Sequence, residues 1–527
     1  MRQSDGPRRG RTAALIAVLL LTTACTAGPS RRPGIATFGD GPATATAGAS
    51  APSSTMPIGP GGPGRSSAPI DWGDCPAGVA ATTDGTAITV RCAAVTVPFV
   101  YEQPQRGHLT VQVAEARAAD TPAGAPVLFV GFGDPGSSSY TDIAEITASL
   151  PQEIRRHYAI ITTDARGTGD STGIDCVNSS TAASILGMAA DPASPEGAAQ
   201  LSAIERQLTF DCGDTAGAAL TTFNSTRAAD DLDTIRAALG KDTVSLLASG
   251  GSATIGAVYT DRYPGRVAAA VLASPADPLT SPQQHATESA AASERQFDDF
   301  AAACGAFDGG CPLGADPRST VQTLVSRLAT TGIPSGAWVM TGGSVLRALT
   351  EQLPDPDSWP ALAAAIAALD SGEGAPLTRL LTATGAGPSL TSRLSSRILY
   401  ACSDSATRLS PPDIAGAAAA AAARAPLFGP FAVASASLCS AWPAPDQSLG
   451  RLSGAGAPSI VVIGSVLAAG HPYREAQAVA GQLSSAVLVS WQSGSESAYS
   501  GSACVQGAVD DYLLHGTAPD RGLLCPP

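Results

Sequence analysis

Residues Asp242–Val267 read DTVSLLASGG SATIGAVYTD RYPGRV, and this stretch decides the fold. Thr243, Val244, Leu246 and Leu247 form a β-branched and apolar run, and Ala248–Ser252 are all small. Ile255, Val258 and Tyr259 then share one face of a helical pattern that Pro264 stops. Strand, tight turn of small residues, helix: this is the local architecture of a nucleophile elbow, in which a strained residue holds its side chain above a parallel sheet. Positions two before and two after the nucleophile must be small so that strand and helix approach closely. The turn reads Ala248-Ser249-Gly250-Gly251-Ser252, and the spacing to Tyr259 and Pro264 puts Gly250 where the attacking residue belongs.

Outward from the elbow, the pattern alternates strands with helices. Pro126–Gly131 (PVLFVG) is a continuous apolar run, as for a strand buried on both faces. It leads into a glycine-rich loop, Gly131–Ser138. Tyr158–Thr163 is a second such strand and ends in Asp164–Ser171. Ser225–Gly240 is a helix with Ala228, Leu232, Ile235 and Leu239 on one face. Val267–Ala273, Pro458–Gly464 and Ala486–Trp491 are further strands, with helices over Tyr473–Leu483 and Cys504–Leu514. Two earlier strands, Ala87–Pro98 and Leu109–Ala116, flank a turn near Gln103–Gly107. The alternation predicts a doubly wound, mostly parallel α/β sheet. Residues 280–455 are Ala-rich, helical in pattern and without a buried-strand run, which suits an insertion over the sheet.

The chain has 527 residues, enough for one large α/β domain with a substantial insertion. A net charge of −14 without a strongly basic patch argues against a nucleic-acid partner. Acidity could favour a cationic group such as a peptide N-terminus, although bulk charge is weak evidence for any ligand. Residues 1–25 read as an export signal: Arg8, Arg9 and Arg11 precede an apolar run, Ala13–Leu21, too short to span a membrane. Leu21-Thr22-Thr23-Ala24-Cys25 resembles a bacterial lipobox, with Cys25 the lipidated residue; Thr22 is an imperfect fit, and the alternative is ordinary cleavage nearby and a secreted chain. Residues 26–69, rich in Gly, Pro, Ser, Ala and Thr, are expected to form a flexible tether. Membrane contact is expected through the lipid anchor alone.

Setting Cys25 aside, ten cysteines remain. An even number in an exported chain reads as disulfides, and neighbour pairing is the preferred connectivity: Cys75–Cys92, Cys176–Cys212, Cys304–Cys311, Cys402–Cys439 and Cys504–Cys525. Each bridge closes a short loop and adds about 2–4 kcal/mol at best. No C-x-x-C occurs and the five histidines are scattered, so neither zinc nor another cofactor is expected.

Several motifs together resemble one family, the exported tripeptidyl-aminopeptidase-like (TAP-like) branch of the α/β-hydrolase peptidases. They include Trp72 with Cys75, Val97-Pro98, the loop Gly133–Ser138, and Asp164–Ser171 with Cys176 in a D-x-R-G-x-G-x-S…C pattern. Ala229–Asp233 through Gly240, Cys402-Ser403-Asp404, Cys439 with Trp442-Pro443, and Cys504…Tyr512-Leu513…Cys525 complete the set. The resemblance spans nearly all of residues 70–527. It implies an α/β-hydrolase core in two parts, 70–279 and 456–527, with a largely helical lid over 280–455. It also implies a serine nucleophile activated by a histidine that an acid orients, with backbone N–H groups holding the oxyanion.

Carried over position by position, that triad falls on Gly250, Ala468 and Glu496, so none of its members is retained. The chain therefore reads as a catalytically silent family member that binds a peptide or another small ligand. The oxyanion donors implied are the N–H of Gly251 and one from Gly133–Ser137. Asp134 stands where the family's loop carries glycine, and its charge is expected to repel an oxyanion. An alternative keeps activity, with Ser252 as nucleophile beside His471 and Glu496. It expects His471 to have to reach past Glu496, because the acid loop normally lies behind the histidine. Otherwise Ser252 is a helix N-cap and His471 a solvated loop residue; Ser249 is a weaker nucleophile because Leu247 crowds it. A third reading is a structural envelope protein with a closed cleft. Asp164 and Arg166 are read as loop-stabilising, His515 as a helix C-terminal residue, and Trp442 and Trp491 as packing.

Overall fold

A computed structural model describes residues 68–527 except 78, 80–87, 138, 330 and 384–388. The export signal, Cys25 and the tether up to residue 67 lie outside the described residues. Eleven strands are described: β1 (Ile88–Pro98), β2 (His108–Ala118), β3 (Val127–Gly131), β4 (Ala159–Thr163), β5 (Val244–Ser249), β6 (Val267–Ala273), β7 (Ile333–Ser335), β8 (Trp338–Met340), β9 (Ile460–Ser465), β10 (Ala486–Trp491) and β11 (Leu524–Cys525). Nine make one sheet in the order β1-β2-β4-β3-β5-β6-β9-β10-β11. The β1–β2 and β2–β4 pairs are antiparallel and the others parallel. The sheet is the doubly wound, mostly parallel one that the alternation predicts, and it has the α/β-hydrolase fold that the resemblance implies.

Burial explains the two kinds of strand sequence. β3, β5 and β9 lie inside the sheet and are covered on both faces, so they need uninterrupted apolar runs. β10 and β1 lie towards the edges and alternate buried with more exposed positions. β3 connects to β4 on one side while β5 lies on its other side, so their outgoing loops diverge. That divergence opens a crevice at the carboxyl ends, where ligands bind in open α/β sheets.

Between β6 and β9 the chain runs through helices, among them Pro282–Cys304, Gly342–Gln352, Leu390–Asp404 and Gly429–Ala436, plus the small β7–β8 hairpin outside the main sheet. Asp404 ties this region to the core. Its two carboxylate oxygens accept from the Ser225 N–H and hydroxyl, both at 2.7 Å, at the start of helix Ser225–Ala238. Two helices, Ser179–Leu186 and Pro195–Ala216, lie between β4 and helix Ser225–Ala238, where the sequence carries no clear apolar pattern. All five disulfides form with the expected neighbours.

The Asp164–Ser171 loop is held by a buried ion pair. Arg166 is fully buried and meets Asp231 through two charge-assisted bonds, Nε to Oδ2 at 2.7 Å and Nη2 to Oδ1 at 2.5 Å. Its remaining donors reach the carbonyls of Phe99 (3.0 Å) and Pro98 (3.2 Å), and the Tyr101 hydroxyl donates to Asp231 at 2.7 Å. Burial alone disfavours the guanidinium's charge, but Asp231 outweighs it and holds the Arg166 pKa above its ordinary value. Within the same loop the Asp164 carboxylate accepts from the Asp170 N–H at 2.8 Å. Burial first, with the Asp170 charge in support, pushes Asp164 up to about 7.

Candidate functional site

β5 delivers its last residue, Ser249, to the crevice, and the helix Gly251–Arg262 begins two residues later. Between them Gly250 adopts φ 61° and ψ −134°, a conformation costly for any residue with a side chain. The backbone thus keeps the bend of a nucleophile elbow at a position that carries no side chain. A Cβ built on Gly250 points at His471, 3.2 Å from its Cε1. The elbow therefore aims at an imidazole.

His471 comes from the loop after β9 and Glu496 from the loop after β10. The ring Nδ1 lies 2.9 Å from Glu496 Oε2, and Glu496 Oε1 accepts from the His471 backbone N–H at 3.0 Å. Gly470 permits this close approach, since a Cβ there would sit 2.5 Å from Glu496 Oε1. The structure corrects the expectation that His471 must reach past Glu496. In the sheet β9 lies between β6 and β10, so its loop is nearer the elbow than the loop of β10. The imidazole faces Gly250 and the carboxylate stands behind it. His471 is accordingly no solvated loop residue; its side chain is 13% exposed. Ala468 is buried in the same loop as His471.

Asp134 completes the group. Its Oδ1 is 3.2 Å from His471 Nε2 and accepts from the Gly251 N–H at 3.1 Å. Gly251 has to be glycine for this loop to come so near, because a Cβ there would meet Pro135 Cδ at 2.5 Å. The expectation that Asp134 merely repels an oxyanion is therefore corrected: its own carboxylate takes the N–H that an oxyanion would use. Within Gly133–Ser137, where the second donor is expected, the Gly133 N–H donates to Ser249 Oγ at 3.2 Å and the Ser137 N–H to the Asp134 carbonyl at 2.9 Å. Ser249 thus fastens the glycine-rich loop to the end of β5.

Burial disfavours the charged form of all three groups, but mutual attraction outweighs it. Glu496 and then Asp134 hold the His471 pKa well above 6.5. Burial is likewise outweighed at Asp134, where His471, Arg397 and the Gly251 N–H hold the carboxyl well below the usual carboxylate range. Glu496 is lowered too, burial again yielding to His471. Both ring nitrogens thus face carboxylates, an arrangement that favours the imidazolium form. An imidazolium has no lone pair with which to take a proton from a hydroxyl.

Ser252 is the second residue of the elbow helix and not its N-cap, which is Gly250 and makes no side-chain capping bond. Its N–H donates to the Gly133 carbonyl at 3.0 Å. Its side chain packs against Gly131 and lines a small cavity of about 70 Å³ with Ser137, Asp164 and Arg166. His471 instead lines a separate cleft of about 420 Å³ between the elbow and the helices Gly342–Gln352, Leu390–Asp404 and Gly429–Ala436. Both ring nitrogens of His471 are already engaged, so the structure does not bring Ser252 and His471 together as nucleophile and base.

Three features escape the sequence reading. Asp134 meets His471 across most of the chain, and only the fold reveals that contact. His285 lines the same cleft and bonds Glu475 at 2.6 Å through Nδ1. Ser274, at the end of β6, has φ 54°, the one positive φ among described residues other than glycine. Trp442 and Trp491 are buried packing residues, and Trp442 is not part of the cleft wall. His515 ends its helix, 3.7 Å from Asp511. Among the described residues no cluster of His, Cys, Asp and Glu could hold a metal ion, and no helix is long and apolar enough to cross a membrane.

Fold and elbow place the chain among the α/β-hydrolases, a class whose sequence family matches residues 127–361. Residues 425–525 match the family described as "TAP-like protein". The chain thus carries an α/β-hydrolase match followed by a TAP-like match, and its curated relatives are similar to it over most of their length. It is 28% identical to a protein of Mycobacterium tuberculosis named carboxylesterase B, over 86% of this chain and 90% of that one. It is 26% identical to the serine protease Hip1 of the same organism, over 87% and 91%. Against a tripeptidyl aminopeptidase of Streptomyces lividans it is 26% identical, over 87% of each chain.

Proposed function

We propose that this chain is an exported, lipid-anchored member of the TAP-like family that binds a peptide or another small ligand and no longer hydrolyses it. The observation that carries the reading is the elbow itself: Gly250 holds the nucleophile's backbone conformation beneath an imidazole and supplies no attacking atom. Loss of a triad lowers turnover by roughly 10⁶, leaving what binding and oxyanion donors supply. Here the Gly251 donor is already bonded to a carboxylate, so negative charge stands where it would have to develop. The cleft of about 420 Å³ remains and is of a size that holds a small ligand. Five disulfides fit an oxidising compartment. Lipidation of Cys25 would hold the folded part outside the membrane.

The test is incubation of the mature protein with a fluorophosphonate, followed by intact-mass analysis. No adduct is expected on the wild type. An adduct that disappears in Ser252→Ala would overturn the proposal in favour of an active serine hydrolase.

A further inference from the structure

The net charge of −14 is spread over the whole chain, and the cleft has its own balance once each charged group is traced to its partner. Four carboxylates line it and all are engaged. Asp134 is held by His471 and Gly251. Asp277 accepts from Gln482 (2.6 Å), Leu279 N–H (3.1 Å) and Thr280 (3.0 Å). Asp404 holds Ser225, and Glu475 holds His285 and the Asp277 N–H. Arg408 is likewise consumed, donating to the carbonyls of Cys402, Ser405, Thr407, Trp442 and Pro443.

Two guanidiniums are left. Arg397, half exposed, comes no closer than 3.9 Å to Asp134. Arg347, on helix Gly342–Gln352, is mostly buried and comes no closer than 4.0 Å to Glu351. Its Nε and Nη2 have no hydrogen-bond partner among the described residues. It stacks over Phe431, 5.5 Å from the ring centroid, on helix Gly429–Ala436. One turn further along that helix Ser435 also lines the cleft, with an unpartnered buried hydroxyl. Burial, reinforced by Arg397, depresses the Arg347 pKa against the smaller pull of Glu351. A buried cation with two unpaired donors and its nearest carboxylate 4.0 Å away is expensive, and an incoming anion relieves that cost.

We infer that the ligand carries a carboxylate or similar planar anion, which Arg347 and Ser435 receive at the wall of the cleft while Arg397 attracts it from the mouth. A guanidinium presents a planar fork that matches a carboxylate, which an ammonium does not. This inference rests on the ligand-binding reading above.

Three probes separate the two: acetyl-trialanine with a free carboxylate, its C-terminal amide, and trialanine amide with a free amine. Titration calorimetry on the mature protein is expected to show the carboxylate peptide binding at least 10-fold more tightly than either other probe. Arg347→Gln is expected to abolish that preference and Arg397→Gln to reduce it. Should Arg347→Gln fail to fold, Arg347→Lys keeps the charge, loses the fork and is expected to lose most of the preference. Equal binding of all three, preference for the amine, or a preference that survives at Arg347→Gln or →Lys would overturn the anionic inference while leaving ligand binding intact. Binding of none of the three would overturn both.

Discussion

Gly250→Ser combined with Asp134→Gly is expected to react with a fluorophosphonate at least 100-fold faster than Gly250→Ser alone. Gly250 keeps the elbow's backbone, so serine there costs strain of about 1–3 kcal/mol but no rearrangement. The nearest atoms to a new Cβ are His471 Cε1 at 3.2 Å and the Gly133 backbone at 3.3 Å, which a shift of a few tenths of an ångström accommodates. The hydroxyl then lies beside an imidazole already oriented by Glu496. With Asp134 retained, however, the Gly251 N–H stays occupied and the ring stays protonated. Losing one oxyanion donor costs about 10²–10³ in rate, which sets the expected gap. Asp134→Gly alone has no nucleophile and should not label. Equal rates for the single Gly250→Ser and the double variant would show that Asp134 is no obstacle. A folded but inert double variant would show that the exchanged His471–Glu496 pair does not work as a base.

Arg166→Met is expected to cost about 3–5 kcal/mol, read from urea unfolding of the disulfide-intact chain. The substitution leaves Asp231 buried without its cation, and it frees the Phe99 and Pro98 carbonyls that tie β1 to the Asp164–Ser171 loop. Adding Asp231→Leu to Arg166→Met is expected to recover part of the loss, because an apolar pair is less costly than one unpaired buried charge. A loss below about 1 kcal/mol would mean that the loop does not depend on the pair. The readout is stability, which separates this role from any in substrate chemistry.

How far the fold can be read from sequence depends on what each segment has to bury. β3, β5 and β9 declare themselves because strands covered on both faces must be continuous apolar runs. Helix Pro195–Ala216 is less visible: its buried residues Leu201, Ile204, Leu208 and Cys212 follow helical spacing but sit among many small and polar neighbours. The neighbour-paired cysteines were legible because each closes a local loop. The candidate site was legible only in part. Gly250 stands out by its spacing and Glu496 through the family resemblance, with His471 near the acid position, yet their arrangement depends on β9 lying inside β10, which local pattern does not encode. Asp134 looks like a disruptive charge until the fold sets it against His471. The same holds for Arg347, one of many surface-like arginines in the sequence, which becomes distinctive through burial and two unpaired donors.

Beside the empty elbow at Gly250, His471 is expected to be an imidazolium held between Glu496 and Asp134. A histidine so raised contributes stability fully below its ordinary value near 6.5, and that contribution is lost as pH rises through the higher folded value. Asp134 and Glu496, both lowered, contribute above their ordinary values of 3.8 and 4.5 and lose it as pH falls through the folded ones. The direct measurement is NMR titration of the ring Cε1–H signals in protein with labelled histidine, the His471 signal being identified by its loss in His471→Gln. The expected result is a His471 ring still protonated at pH 7.5, with a pKa that drops in Asp134→Asn. A ring that is neutral at pH 7.5 in the wild type and indifferent to Asp134→Asn would contradict it.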